Sequence, residues 1–439
     1  MRMQAVKQKN NTATRYVLAA LVLFLYYYIY RYVLQYNDDE TSPTYSDTPF
    51  LFQAAKYLLL LLLLCAFFVH VLLRHRRGVK IDVLFVAASL LILQNVYIFL
   101  VSGDADAVTM CCCLFLALLI HFTAEETSLD AVDRLFAFFL HFAILYECVQ
   151  IALYFIAGRL PALGYDTGNL TDVRFGGPWD APNEFALLLA FLLPYAALRY
   201  QGWRRVLYVA VLIVMLILSW SLTGIATILL IAVVVGLKEL FLRSRNALHT
   251  LTACVAGLCV LGAFGLVLYF NSDAIHAFVA SKMGSIQGHL DGWDLSGLTL
   301  WNFLGLYPDM EFSEVGLIVL LRRGGVVQVL LFYGLGICCA VRAGRLAKVH
   351  RGDAVRRRLY TGMQWYLIAF LIASFNLPMM VSFSNLGVFC VFAALTARAP
   401  CPAPAVPERA GEGSANKASV SLHRSNRKTV PAYCRGRFL

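Results

Sequence analysis

A chain of 439 residues that is 60% hydrophobic and only 14% charged, with a mean hydropathy of +0.69, is too apolar for a soluble globular protein, in which about a quarter of residues carry charge. Its net charge of +11 does not mark a nucleic-acid binder, because the basic residues are spread through the gaps between apolar blocks. Those blocks recur at lengths of about 17–25 residues, enough to cross a bilayer as helix, and no single amphipathic repeat runs through them, which disfavours a solenoid.

The blocks predict an all-α, polytopic integral membrane protein of about twelve transmembrane helices, at roughly 16–36, 49–73, 81–102, 107–123, 135–157, 183–199, 206–221, 222–242, 250–270, 315–341, 359–377 and 379–397. The first block is too long for a cleavable signal peptide, and no small-residue cleavage site follows it. The seventh and eighth blocks are separated at Ser219–Gly224. Ten of the twelve cysteines lie in apolar blocks, and Cys401 and Cys434 lie near the C-terminus, so no disulfide framework is expected. The run Cys111–Cys113 lacks a second ligand pair at zinc spacing.

Lys and Arg fix the expected orientation. Thirty of the 37 basic residues fall in alternate loops, among them Arg2, Lys7, Arg74, Arg76, Arg77, Arg134, Arg204, Arg205, Lys238, Arg342, Arg345 and Arg356–Arg358. The intervening loops are acidic, with Asp38, Asp39, Glu40, Asp104, Asp106, Asp172, Asp180, Asp273, Asp291 and Asp309. Both termini are therefore expected in the cytoplasm. Residues 1–397 read as one membrane domain and 398–439 as a basic, Pro- and Ser-containing tail without apolar periodicity, expected to be disordered.

Two outer loops, about 157–182 and 271–313, exceed the few residues that a compact connection needs. The first ends in Arg174-Phe-Gly-Gly-Pro-Trp-Asp180-Ala-Pro-Asn183-Glu184. Gly176, Gly177, Pro178 and Pro182 suit a rigid turn, and Asn183 is placed to cap the next helix. Arg174 is not explained by the turn; an outward arginine opposes the charge bias and matches phosphate geometry. The second loop contains Lys282, Ser285, His289, Asp291 and Trp293, where His289 is a candidate base and Trp293 suits either sugar stacking or the membrane interface. Glu311 and Glu314 follow, then Arg322 and Arg323 inside an apolar stretch. Burying those arginines against lipid is costly, so they are expected to face a cavity or a partner. If 314–323 is helical, Glu314 and Arg322 share a face, which allows an ion pair or an anionic-lipid anchor. Within the spans, Lys56, His141 and Glu147 are isolated ionisable residues, and Lys56 is expected to snorkel to the outer interface.

The order of these features resembles the O-antigen ligase/polymerase superfamily of bacterial envelope glycosyltransferases. Arg174…Gly177…Pro182-Asn183 followed by Ala186-Leu-Leu-Leu-Ala is similar to its R-x-x-G…P-N segment. Ser285-Ile-Gln-Gly-His289 with Trp293 is similar to its S-x-x-x-H…W segment, and Glu314…Gly325 to the segment closing the large loop. The resemblance covers about residues 80–395. Two departures stand out: Ile225 follows Ser221-Leu-Thr-Gly224 where the family often has Arg, and Glu314 stands where ligases tend to carry His. The second favours a polymerase over a ligase.

The resemblance implies a GT-C-like membrane glycosyltransferase of the bacterial inner membrane, working at its periplasmic face without nucleotide sugar, metal or other cofactor. Its donor and acceptor are glycans on undecaprenyl diphosphate, polymerised into O-antigen, capsule or exopolysaccharide. Arg174, Arg322, Arg323 and Lys282 are the expected diphosphate contacts, His289 and Glu314 the catalytic candidates, and Asp180, Asn183, Trp293 and Glu311 the glycan contacts. Expected partners are membrane lipids, a chain-length regulator and a flippase, and not nucleic acid. Two other activities fit the same topology: a ligase that transfers glycan to lipid A core, and a lipid-linked oligosaccharide flippase or transporter.

Overall fold

The computed structural model describes residues 2–27, 50–74, 81–157, 175–179, 181–219, 221–242, 287, 293, 295, 298–309, 313 and 315–397. The predicted span at 250–270, most of both long loops and the tail from 398 lie outside the described residues. All regular structure among the described residues is helical: α1 (Arg2–Tyr26), α2 (Phe50–Arg74), α3 (Val83–Ser102), α4 (Ala105–Thr123), α5 (Leu129–Ala157), α6 (Pro182–Arg199), α7 (Gly202–Leu218), α8 (Leu222–Leu242), the single turn α9 (Leu300–Phe303), α10 (Gly316–Val349), α11 (Ala354–Asn376) and α12 (Phe383–Leu395). Five of these contain stretches long and apolar enough to cross a bilayer: Ala54–Leu73, Val83–Ser102, Ala105–Glu126, Leu129–Ala152 and Gly316–Val349. The break between α7 and α8 falls at the predicted Ser219–Gly224. Helix α10 continues eight residues beyond the predicted 341, to Val349.

Burial follows the side chains. Helix α12 is apolar all round, and all thirteen of its residues are buried, so it stands at the centre of the bundle. Helices α6 and α11 pack on one another and α11 packs on α10. Small residues permit the close approach that drives association in lipid: Gly362 of α11 lies against the Phe191 ring of α6, and Gly336 of α10 against Leu371 of α11. Helix α2 instead exposes Leu58, Leu59, Leu61, Leu62, Leu72 and Leu73, the pattern of a helix at the lipid boundary.

Eleven of the described basic residues, Arg134, Arg199, Arg204, Arg205, Arg342, Arg345, Lys348, Arg351 and Arg356–Arg358, lie toward one end of the bundle, whereas Lys56, Arg322 and Arg323 lie toward the other. A buried carboxylate ties three helices together there. Asp133 of α5 accepts from the Tyr195 hydroxyl at 2.9 Å and from Arg199 Nη1 at 2.8 Å, both on α6, and from Arg358 Nε and Nη2 of α11 at 2.5 Å each. A second clamp begins at Asp82, the N-cap of α3, which accepts from Phe85 N at 3.1 Å and from Arg342 of α10 at 2.8 Å. The other Arg342 nitrogen reaches the Ala397 carbonyl just past α12 at 2.8 Å.

At the opposite end, α10 is broken. Gly325 has φ 67° and ψ −170°, an extended positive-φ conformation essentially restricted to glycine. The break lets the turn around α9 dock: Gly305 and Phe303 lie against Gly324 and Gly325, Gln94 of α3 donates to the Gly324 carbonyl at 2.5 Å, and the Tyr97 hydroxyl donates to Leu306 O at 2.7 Å.

Candidate functional site at the end opposite the basic residues

A cleft of about 420 Å³ opens at this second end. It is walled by the N-terminal parts of α2, α4 and α6 and by the connection between α11 and α12, through Lys56, Tyr57, Asp106, Thr109, Ala181, Asn183, Glu184, Leu377, Pro378, Met379, Val381, Ser382 and Phe383. Each wall has a local cause. Asp104 caps α4 by accepting from Asp106 N at 3.0 Å, which sets Asp106 on the first turn. Pro182 starts α6 and places Asn183 and Glu184 just inside it. Pro378 follows α11, and Ser382 caps α12 by accepting from Asn385 N at 3.3 Å.

Lys56 is the cation of the cleft lining. The residue is 8% exposed, and its Nζ lies 4.7 Å from the centre of the Tyr57 ring, 5.0 Å from that of Phe383 and 5.8 Å from that of Tyr27. Thr109 donates to the Tyr57 hydroxyl at 3.3 Å. Lys56, expected to snorkel to the outer interface, is thus lodged among aromatic rings.

The two neighbouring arginines diverge. Arg323 reaches the turn between α3 and α4, with Nη1 3.0 Å from Asp104 Oδ2 and Nη2 3.0 Å from Asp106 Oδ2. It therefore borders the cleft through Asp106. Arg322 is buried and turns to the α9 segment, with Nη1 2.8 Å from Asp309 Oδ2, while its carbonyl accepts from Asp309 N at 2.9 Å. The expectation that both arginines meet a cavity or a partner is met by carboxylate partners. These two cations do not converge on one point, because the break at Gly325 and the docked α9 turn draw Asp309 to one side of α10 and α4 supplies Asp106 on another.

Of the ten site residues read from the sequence, Arg174, Asp180, Lys282, His289, Glu311 and Glu314 lie outside the described residues. Asn183 lines the cleft, but it does not cap α6: the capping position is Ala181, with Pro182 at the first helical position. Trp293 packs on Phe375 near the end of α11, with ring centres 5.2 Å apart, and is not part of the cleft lining. The turn that follows Arg174 is firmly seated. Phe175 N donates to Leu218 O at 3.1 Å, Trp179 is fully buried with Nε1 donating to Leu25 O at 3.1 Å, and Gly177 has φ 58° with the Phe185 ring where a side chain would be. Buried Glu147 of α5 lies beside the Gly177 backbone. His141 has structural partners, Ala137 O at 2.6 Å and the hydroxyls of Tyr208 and Tyr200 at 2.9 and 3.2 Å.

Sequence reasoning passed over the cleft role of Lys56, Asp106 and Glu184. Only a lysine near the end of an apolar block signalled the first, and nothing local joined the three, which come from α2, α4 and α6. No family model matches the chain, and no curated protein matches it.

Proposed function

We propose that the chain is a membrane glycosyltransferase that polymerises oligosaccharide repeat units carried on undecaprenyl diphosphate, at the extracytoplasmic face of a bacterial inner membrane. In this reading it has about twelve spans and cytoplasmic termini. The observation that carries it is the cleft at the end of the bundle opposite the basic residues. The positive-inside bias assigns the basic end to the cytoplasm, so the cleft faces outward. It combines a cation for phosphate, carboxylates and an amide for sugar hydroxyls, and the segment that bears Arg174 ends at its wall in Asn183.

In this scheme a hydroxyl of the incoming unit attacks the anomeric carbon of the growing chain. The bond from that carbon to the lipid diphosphate breaks, and the diphosphate leaves with the electron pair. The hydroxyl proton passes to a base, for which His289 and Glu314 are the candidates and Glu184 of the cleft a third. Arg174 and the cations of this face stabilise the departing anion. Holding both lipid-borne substrates at one membrane face supplies much of the rate through proximity.

The test is a deletion strain. Accumulation of single-unit glycan on lipid A, with restoration of long chains by the plasmid-borne protein, supports the polymerase. Complete loss of capped lipid A with intact lipid-linked polymer refutes it in favour of the ligase. The broken helix α10 favours one second reading, a lipid-linked oligosaccharide transporter, since interrupted helices recur at transporter binding sites; in that case single units accumulate on the cytoplasmic side.

A further inference from the structure

We infer that Glu147 is a proton-binding site within the membrane: its carboxyl carries a proton while the turn at 175–179 is seated in the bundle and gives it up when that turn lifts out. The inference does not rest on glycosyl transfer, although the turn it concerns directly follows Arg174.

The carboxyl sits where a charge is poorly tolerated. Phe136, Phe139, Leu140 and Ala143 form the buried stripe of α5, and helical spacing continues that stripe to Glu147 and Gln150. Both are 1% exposed, and both lie inside the bilayer-crossing stretch Leu129–Ala152. Neither carboxylate oxygen of Glu147 has a hydrogen-bond partner, nor does Oε1 of Gln150. Three acceptor atoms on one helix face thus receive no hydrogen bond. A proton on Glu147 supplies a donor, and Gln150, three residues on, offers an acceptor on the same face.

An ionised Glu147 would also lack a countercharge. Helices α1, α7 and α11 pack on α5. Their outer portions, 16–26, 206–218 and 359–376, contain no Asp, Glu, Lys, Arg or His. Their ionisable side chains are Tyr16, Tyr26, Tyr208, Tyr360 and Tyr366, which are ordinarily neutral near pH 7. Neighbours on α5 itself are Tyr146, Cys148 and His141, the last engaged by Tyr200 and Tyr208. Helix α6 brings Glu184 at its start, a second acid, and Arg199 at its end. Arg199 and Arg358 of α11 meet Asp133, fourteen residues before Glu147 and so about 21 Å away along the helix. Burying an unpaired charge is costlier than retaining the proton.

The turn makes the proton conditional. Residues 175–179 end an outer loop, yet all five are buried. Backbone and indole hydrogen bonds fasten them to Leu218 and Leu25, and Gly177 lies beside Glu147. The five residues, Phe-Gly-Gly-Pro-Trp, bring no charged side chain. Seated, the turn covers the carboxyl; lifted, it lets water reach the carboxyl, which then ionises. The seated state therefore binds the proton more tightly. By linkage, seating is favoured at low pH and weakens as pH rises through the titration of Glu147, by up to about tenfold in the seated-to-lifted ratio per pH unit.

The experiment uses the full chain in lipid nanodiscs. The infrared spectrum of wild type minus Glu147→Gln at neutral pH should contain the carbonyl stretch of a protonated carboxylic acid, since glutamine keeps the shape of the neutral acid and has no such band. Raising the pH should replace that band with carboxylate bands. Over the same range, hydrogen exchange at 175–179, corrected for its intrinsic pH dependence, should speed up in wild type and stay level in Glu147→Gln. Carboxylate bands in the difference spectrum at neutral pH overturn the proton site. An exchange profile that is the same in both proteins overturns its link to the turn. If Glu147→Gln does not fold, wild type alone decides: corrected exchange at 175–179 should rise with pH while that of α12 stays level, and parallel profiles for the two segments overturn the inference. A chain that lengthens no glycan but passes these tests leaves this inference standing while the polymerase reading fails.

Discussion

The break in α10 makes a sharp prediction about two glycines nine residues apart. At Gly325, φ 67° and ψ −170° exclude an ordinary side chain, and an added Cβ would lie 2.5 Å from Phe303 O and 2.8 Å from Gly305 Cα. These neighbours are backbone and cannot rotate away. The strained conformation costs about 1–3 kcal/mol and the overlap a further 1–3 kcal/mol, so Gly325→Ala should destabilise the protein by about 2–6 kcal/mol. Gly334 lies in the same helix with nothing within 4 Å of an added Cβ. Gly334→Ala should be neutral or stabilising by up to about 1 kcal/mol through helix propensity. The assay is thermal unfolding of both variants in the same detergent, followed by intrinsic fluorescence. Equal melting temperatures for the two variants would refute the reasoning, because they differ only in backbone conformation and neighbours.

Other outcomes follow from the same physical account. Asp133→Asn leaves Arg199 and Arg358 against an uncharged amide at a buried site and should cost about 3–5 kcal/mol, read as a lower melting temperature with the cleft lining unaltered. Burial raises the Asp82 carboxyl pKa, but hydrogen bonds from Arg342 and Phe85 N and the charges of His121 and Arg342 outweigh it, and the net shift is downward. A depressed folded-state pKa stabilises above the ordinary carboxylate value and is lost as pH falls through the folded one. Stability should thus decline below about pH 4, and Asp82→Asn should flatten that decline; an unchanged profile in the variant counts against the clamp. Arg174→Ala should abolish chain extension at normal protein abundance, measured by glycan ladder and immunoblot, and a normal ladder would remove Arg174 from the proposed site.

Much of the helical frame was legible because it depends on local quantities. The apolar block at 183–199 became α6 at Pro182–Arg199, and the weak break at Ser219–Gly224 became the turn between α7 and α8. The clamps were not legible. Asp133 meets Arg358 225 positions away, and neither residue carries a local sign of the other. Asn183 misled for a specific reason: an Asx residue at the head of a helix suggests a cap, but Pro182 already fixes the first helical position one residue earlier. Arg322 and Arg323 were rightly read as needing partners inside an apolar stretch. Which partners they take depends on the break at Gly325, and a Gly-Gly pair in a long apolar run does not by itself announce a broken helix. Lys56 was seen as an interfacial lysine; its aromatic cage comes from Tyr27, Tyr57 and Phe383, two of them far away in sequence.

The most direct test is reconstitution. Purified protein in liposomes, given undecaprenyl-diphosphate-linked repeat units and neither nucleotide nor ion gradient, should produce a ladder of glycans whose masses differ by one repeat unit. Units that cross the bilayer unchanged in length, or that stay single with the protein folded, would contradict the account.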